Sequence, residues 1–208
     1  MEKKHAHHNM PLNEEEREAM ITKAASHYAE FMTALGIDHA DDPNSADTPR
    51  RVAKSFVNDL IKGRYQEELK ITSFDNIEKY DGLVFQGNIE MKSMCSHHHL
   101  AFAGEVHVAY IPSPNGKIIG LSKLNRIVEF YSRRPQVQEN LTQQISKHID
   151  KVCEGNLGVA VSISANHTCC SHRGIKHNST MKTSKLTGVF LDNDNLARAE
   201  FENFINTL

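Results

Sequence analysis

The 208-residue sequence has no tryptophan, only six prolines and four cysteines, and aromatic residues make up 7% of it. So few cysteines in a chain of this length exclude a disulfide-stapled scaffold, and a domain of this size can remove roughly 70% of its unfolded surface from water without staples. An excess of charge of one sign is also missing. Lys plus Arg is 24 and Asp plus Glu is 26, a formal charge of -2, so the surface as a whole is not marked for nucleic acid or for an anionic membrane, and any anion site must be local. No window approaches the roughly 18 consecutive apolar residues of a membrane span. Residues 1–17 are too charged to contain the apolar core of a signal peptide. A cytoplasmic location is expected, where Cys95, Cys153, Cys169 and Cys170 are reduced thiols or metal ligands rather than bridges.

What is present is an ordinary globular composition, 39% hydrophobic and 24% charged, with 13 histidines as the anomaly. His5, His7 and His8 fall in a polar leader, residues 1–12, read as flexible and solvated. From Glu14 to Leu35 apolar residues recur at Ile21, Ala24, Ala25, Tyr28, Met32 and Leu35, one stripe of a helix that Gly36 stops. Asp47-Thr48-Pro49 reads as the start of a second helix, with Asp47 as its capping side chain, running to about Ile61. On it Arg51 and Lys54 emerge as neighbours, a pattern that alone suits a solvated face.

Beyond Leu69 the texture changes to short extended runs: Leu83 to Phe85, Ile89 to Met91, and Glu105 to Tyr110. Two helical patterns follow, one with Leu124, Ile127, Val128 and Tyr131 on a face, the next with Val137, Leu141, Ile145, Ile149 and Val152. Val159, Val161 and Ile163 then alternate as a strand with one buried face. A strand-like run near Leu186 to Leu191 precedes a last helix carrying Phe201, Phe204, Ile205 and Leu208. The expected organisation is an α+β domain over residues 67–208 preceded by an N-terminal helical arm over 13–66.

Chemistry concentrates in Cys95-Ser96-His97-His98-His99 and, some seventy residues on, His167-Thr168-Cys169-Cys170. A thiolate and an imidazole three residues apart can turn toward one ion, and a distant cysteine can supply a third vertex, a soft donor set that suits Zn²⁺. Cys170 or His99 could close a fourth vertex, so spacing alone leaves open a structural zinc, a catalytic zinc with a free position, and no metal. The adjoining His97 and His167 put further imidazoles near the ion, as acid–base work near neutral pH requires. Gly120-Leu121-Ser122-Lys123 through Arg126 is a glycine turn entering a helix with a serine and two cations at its start, a plausible phosphate cradle or simply a solvated helix end. Glu139, after Gln136-Val137-Gln138, is a carboxylate of the kind that accepts two N–H groups from a guanine edge.

Taken together, colinear from about Glu14 to the C-terminus, these blocks resemble GTP cyclohydrolase I, a zinc enzyme of the tunnelling fold (T-fold). The resemblance rests on Asp47-Thr48-Pro49 with Arg51 and Lys54, the Cys95–His98 block, Gly120 to Arg126, Arg134 to Glu139, His167-x-Cys169, and Arg173-Gly174. It implies an antiparallel sheet with two consecutive helices on one face. It further implies zinc on Cys95, His98 and Cys169, with His97 and His167 moving protons. Glu139 with Gln138 beside it would hold guanine, and Ser122 would lie near the ribose and phosphates. Lys123, Arg126 and Arg173 would bind the triphosphate, joined by Arg51 and Lys54 from a neighbouring subunit of a homodecamer. The reaction implied opens the imidazole ring of GTP by hydrolysis, releases formate and recloses to 7,8-dihydroneopterin triphosphate without a redox cofactor. The chain departs from the family at Ser96, where a glutamate is usual, which removes a negative charge near the metal. The rivals are a T-fold guanine-nucleotide-binding protein without turnover and a related enzyme acting on another guanine nucleotide; Cys95, His97, His98, His167 and Cys169 together argue against the first.

Overall fold

Asn13 and Glu16 close a reciprocal cap: the Glu16 N–H donates to the Asn13 side chain at 2.8 Å and the Asn13 N–H to the Glu16 carboxylate at 2.9 Å. They start α1 (Glu14–Ala34), and Gly36, at φ 75°, makes the left-handed turn that ends it. In the computed structural model, which describes residues 4–192 and 196–208, the chain divides between Glu68 and Leu69 into two compact units. The first holds α1, α2 (Thr48–Ser55), a π-helical turn (Phe56–Leu60) and α3 (Lys62–Tyr65).

Two expectations for this unit change. Asp47 does not cap α2 with its side chain; its backbone is already helical, and its carboxylate instead accepts from Arg51 at 3.2 Å. The second helix also changes character before Ile61, because the Ile61 N–H reaches past the normal partner to the Phe56 carbonyl at 3.0 Å, widening one turn. Residues 4–12 of the leader carry specific hydrogen bonds. The Arg64 guanidinium donates to the carbonyls of Lys4, His5, Ala6 and His8, and Met10 and Leu12 donate to the backbone of Arg64 and Tyr65. Residues 1–3 of that leader lie outside the described residues.

The second unit is built on a five-stranded sheet of order β5-β2-β3-β6-β7, from β2 (Val84–Cys95), β3 (Ala101–Ile111), β5 (Pro135–Gln136), β6 (Gly158–His167) and β7 (Thr180–Leu186). All neighbours are antiparallel except β5 and β2. β1 (Ser73–Asp75) and β4 (Lys117–Ile119) pair separately. The two runs expected at 83–85 and 89–91 are one strand with a bulge between Gln86 and Ile89, where Asn88 takes φ 50°. The strand expected at 186–191 lies earlier, because Gly188–Leu191 is a short 3₁₀ turn and the polar Thr180–Leu186 segment makes the ladder.

Period two and period 3.6 meet in the core. Val106, Val108, Tyr110, Val159, Val161 and Ile163 face Leu124, Ile127 and Val128 of α4 (Leu121–Ser132) and Leu141, Ile145 and Ile149 of α5 (Gln138–Val152). Each such side chain contributes about 1.5–3 kcal/mol by leaving water. The sheet's other face presents Ala109 and Ala160, small enough to seat Phe190 and, from α7 (Leu196–Asn206), Phe201. The architecture is therefore α+β, with two consecutive helices on one face of the sheet. Among the described residues no helix is long and apolar enough to cross a membrane.

Candidate metal centre

One end of the sheet gathers the chemistry. β2 ends on Cys95, and the chain turns back through 96–100 with the Cys95 N–H donating to the Leu100 carbonyl at 2.8 Å and the His99 N–H to the Cys95 carbonyl at 2.8 Å. His99 takes φ 53° to close that turn. β3 then leads away, and its Phe102 is registered against His167 at the end of β6. The single helical turn α6 (Thr168–Ser171) follows, fastened where Thr168 Oγ1 donates to the Ala101 carbonyl at 2.6 Å. On the other flank β5 pairs with Met94 and Cys95, which sets Gln138 and Glu139, in the first turn of α5, beside the same corner.

This register brings Cys95, His98 and Cys169 together: one donor atom from each lies within 4.8 Å of the other two. Donors on a tetrahedral zinc, with bonds of roughly 2.0–2.3 Å, stand about 3.3–3.8 Å apart, so small side-chain rotations suffice. Two sulfurs and an imidazole nitrogen are also the soft set that zinc accepts. The residues present fit the ion. Without a cation, burial first and then the neighbouring Cys95 and Cys170 thiols push the Cys169 thiol up to about 11; a divalent charge reverses that logic by holding thiolates. Cys95 is buried, Cys169 half-buried and His98 exposed, so the cluster opens toward water on the imidazole side.

His97 is exposed, with Nδ1 3.8 Å from Cys95 Sγ. His167 is held more firmly. Its ring stacks on Phe102 with centroids 4.4 Å apart and planes within 5°, and its Nε2 lies 2.8 Å from Gln138 Oε1. Burial holds its pKa below the ordinary imidazole value, while the Glu139 carboxylate pulls it up. Glu139 itself is exposed. Gln138, expected beside the guanine, is instead 1% exposed and directs its amide into the protein, toward His167, Ile163, Met181 and Thr183.

The expected anion ligands lie at or near the surface. Ser122, Arg126 and Arg173 are exposed and Lys123 half-buried. No side-chain cap closes the α4 N-terminus, which follows Gly120 in extended backbone; the Lys123 N–H donates to the Gly120 carbonyl at 2.9 Å, and the N–H groups before it point along the helix start, where an anion is favoured. Arg51 and Lys54 belong to α2 in the first unit, where Arg51 pairs with Asp47. Ser96 donates its N–H to the Gln136 carbonyl at 2.9 Å. Sequence reasoning missed Phe102, Thr142 and Thr183; the signal for Thr142 was its place one turn after Gln138 on the buried face of α5.

Comparison with known proteins places this corner in a family. The profile of GTP cyclohydrolase I matches residues 24–206. The GTP cyclohydrolase 1 of Aeromonas hydrophila is 44% identical over 181 residues, 86% of this chain and 81% of that protein. That of Erwinia tasmaniensis is 43% identical over 193 residues, 92% and 85% of the two chains. The protein named GTP cyclohydrolase 1 2 in Pseudomonas aeruginosa is 45% identical over 186 residues, 86% and 97%. Among solved structures, the apo form of an archaeosine synthase QueF-like protein aligns over 50% of this chain and 92% of its own, at TM-score 0.38 and 17% identity, too remote to bear on the argument. With the family profile spanning most of its length and relatives above 40% identity, the chain belongs to the GTP cyclohydrolase I family.

Proposed function

We propose that this chain is a metal-dependent GTP cyclohydrolase I, converting GTP and water to formate and 7,8-dihydroneopterin triphosphate. The observation that carries the reading is the convergence of Cys95, His98 and Cys169 within 4.8 Å, beside an imidazole clamped by Phe102 and Gln138. Cys95, His98 and Cys169 would hold zinc, which would supply Lewis acidity and water activation near neutral pH.

The remaining work falls to the chain's own side chains. Glu139 accepts from the guanine N–H groups and fixes the base. His167 and His97 exchange protons with ring-opening intermediates that are poor acids and bases. Ser122 bonds the ribose and phosphate end, and Lys123, Arg126 and Arg173 neutralise the triphosphate, which a protein of charge -2 must do locally. Arg51 and Lys54 complete that cluster from a neighbouring subunit.

A homo-oligomer, decameric as the resemblance implies, is supported by two sheet edges that no strand covers among the described residues: β7 on one side, and on the other the part of β2 before Met94, since β5 pairs with Met94 and Cys95. Pairing between protomers satisfies such edges. The cytoplasm, where thiols stay reduced, suits cysteine ligands.

The test is zinc content together with formate release and fluorescent oxidised pterin from GTP. Wild type is expected to bind zinc and release both products. Zinc and GTP binding without either product would establish a binding protein instead.

A further inference from the structure

The direction of every hydrogen bond around Gln138 can be deduced. Gln138 Nε2 lies 3.3 Å from the Ile163 carbonyl, 3.1 Å from the Met181 carbonyl and 3.1 Å from Thr183 Oγ1. Two of these are backbone carbonyls, which only accept, so the NH₂ group faces them and the amide oxygen points the other way. The hydroxyls agree. Thr142 Oγ1 donates to the Gln138 carbonyl at 2.8 Å, which uses its one proton, so the 2.7 Å contact between Thr142 and Thr183 is filled by Thr183 donating. The Thr183 oxygen is then left to accept from Gln138. An inverted amide would set Oε1 against two carbonyl oxygens in a site 1% exposed, at the cost of an unpaired buried acceptor.

With the amide fixed, Oε1 accepts from His167 Nε2 at 2.8 Å. That nitrogen must carry hydrogen; a ring turned over would set Cε1 in place of Nε2 and lose this bond, and the stack on Phe102 holds the ring plane. We propose that Gln138 is a positioning residue: with Thr183 and Thr142 it locks His167 in the Nε2–H form and leaves Nδ1 as the nitrogen that exchanges protons, instead of contacting guanine. The tautomer assignment stands on this network alone; the kinetic consequence rests on the proposed cyclohydrolase activity.

Neutron crystallography of perdeuterated wild type at pH ~8.5, above the ordinary histidine range, reads the tautomer directly. Deuterium on Nε2 and none on Nδ1 of His167 is expected; deuterium on Nδ1 overturns the proposal whether or not the protein turns over GTP. In kinetics, Gln138→Met is expected to lower kcat about 10- to 100-fold, as loss of an orienting partner does, with KM within about twofold. Thr183→Val, which keeps shape and leaves Gln138 in place, is expected to lower kcat several-fold in the same sense. A raised KM at unchanged kcat in either variant would mean a substrate contact and overturn the proposal. Should Gln138→Met fail to fold, the wild-type neutron map and Thr183→Val decide it. Absence of turnover in wild type would sink the activity and leave the tautomer to be judged by the neutron map.

Discussion

Cys95, Gln138 and His167 are each held from several sides, by strand register, ring stacking and buried hydrogen bonds, whereas Ser122, Arg126 and Arg173 stand in water. The difference matches the physics each group would serve in the proposed reaction. Proton transfer and metal ligation fail when atoms are misplaced by an ångström, so those residues belong on rigid elements. Attraction of a triphosphate falls off slowly with distance and tolerates long, solvated side chains, so a cationic rim of the proposed kind would need no register. In the proposed oligomer that exposed rim would be joined by Arg51 and Lys54 of a neighbouring protomer.

The comparison can be broken most sharply at the rigid end. Cys169→Ala is expected to reduce bound zinc from about one per chain to near zero and to abolish turnover, measured by metal analysis beside pterin fluorescence; a variant that keeps stoichiometric metal would detach Cys169 from the cluster. His167→Ala should keep the metal while product formation falls about 10²- to 10⁴-fold. Gly104→Ala probes the register itself, because a Cβ there would stand 1.9 Å from the Ser164 backbone oxygen. A loss of about 1–3 kcal/mol in denaturant unfolding is expected, as for other overpacked sites, with zinc affinity falling alongside.

The rim should respond differently. Lys123→Ala and Arg126→Ala are each expected to raise KM about tenfold, with kcat and unfolding midpoint nearly unchanged, and the effect should shrink with added salt. A loss of kcat at constant KM would place these cations on the rigid side of the comparison.

The smallest expected effect concerns His107, buried on β3, where Nδ1 accepts from the Asn88 N–H at 3.3 Å. Burial depresses its pKa, with Glu105 opposing and Lys182 assisting. A histidine whose folded pKa lies below its unfolded value stabilises fully above about pH 6.5, and that contribution is lost as pH falls through the folded value. His107→Gln should therefore flatten the fall in melting temperature on acidification below about pH 6.5. An unchanged acid limb would show that His107 does not titrate on unfolding.

The helices of the core were legible because their signal is local, periodic apolar residues in α4 and α5; Cys95 and His98 were legible as candidate ligands from their spacing, whereas Cys169, some seventy residues on, joined them only through the family resemblance. The strand carrying Cys95 was split in the sequence reading because Gly87 and Asn88 look like a turn, yet they make a bulge inside an unbroken ladder. β7 was missed because an edge strand with an exposed face needs no hydrophobic alternation, and Thr180–Leu186 has little. Gln138 lay beyond sequence reasoning for another reason. A polar residue next to an expected guanine ligand reads as a second ligand, and only the positions of Thr183 on β7 and His167 at the end of β6, with Thr142 one turn along the same helix, reveal that its amide is committed inward.

Zinc-edge X-ray absorption of the zinc-loaded protein, wild type beside Cys170→Ser and Cys169→Ser, tests the centre most directly. The expected result is two sulfurs at about 2.3 Å in wild type, still two in Cys170→Ser, and one or no bound zinc in Cys169→Ser. Three sulfurs in wild type that drop to two in Cys170→Ser would mean a fourth side chain closing the position the reaction needs, and would contradict the account.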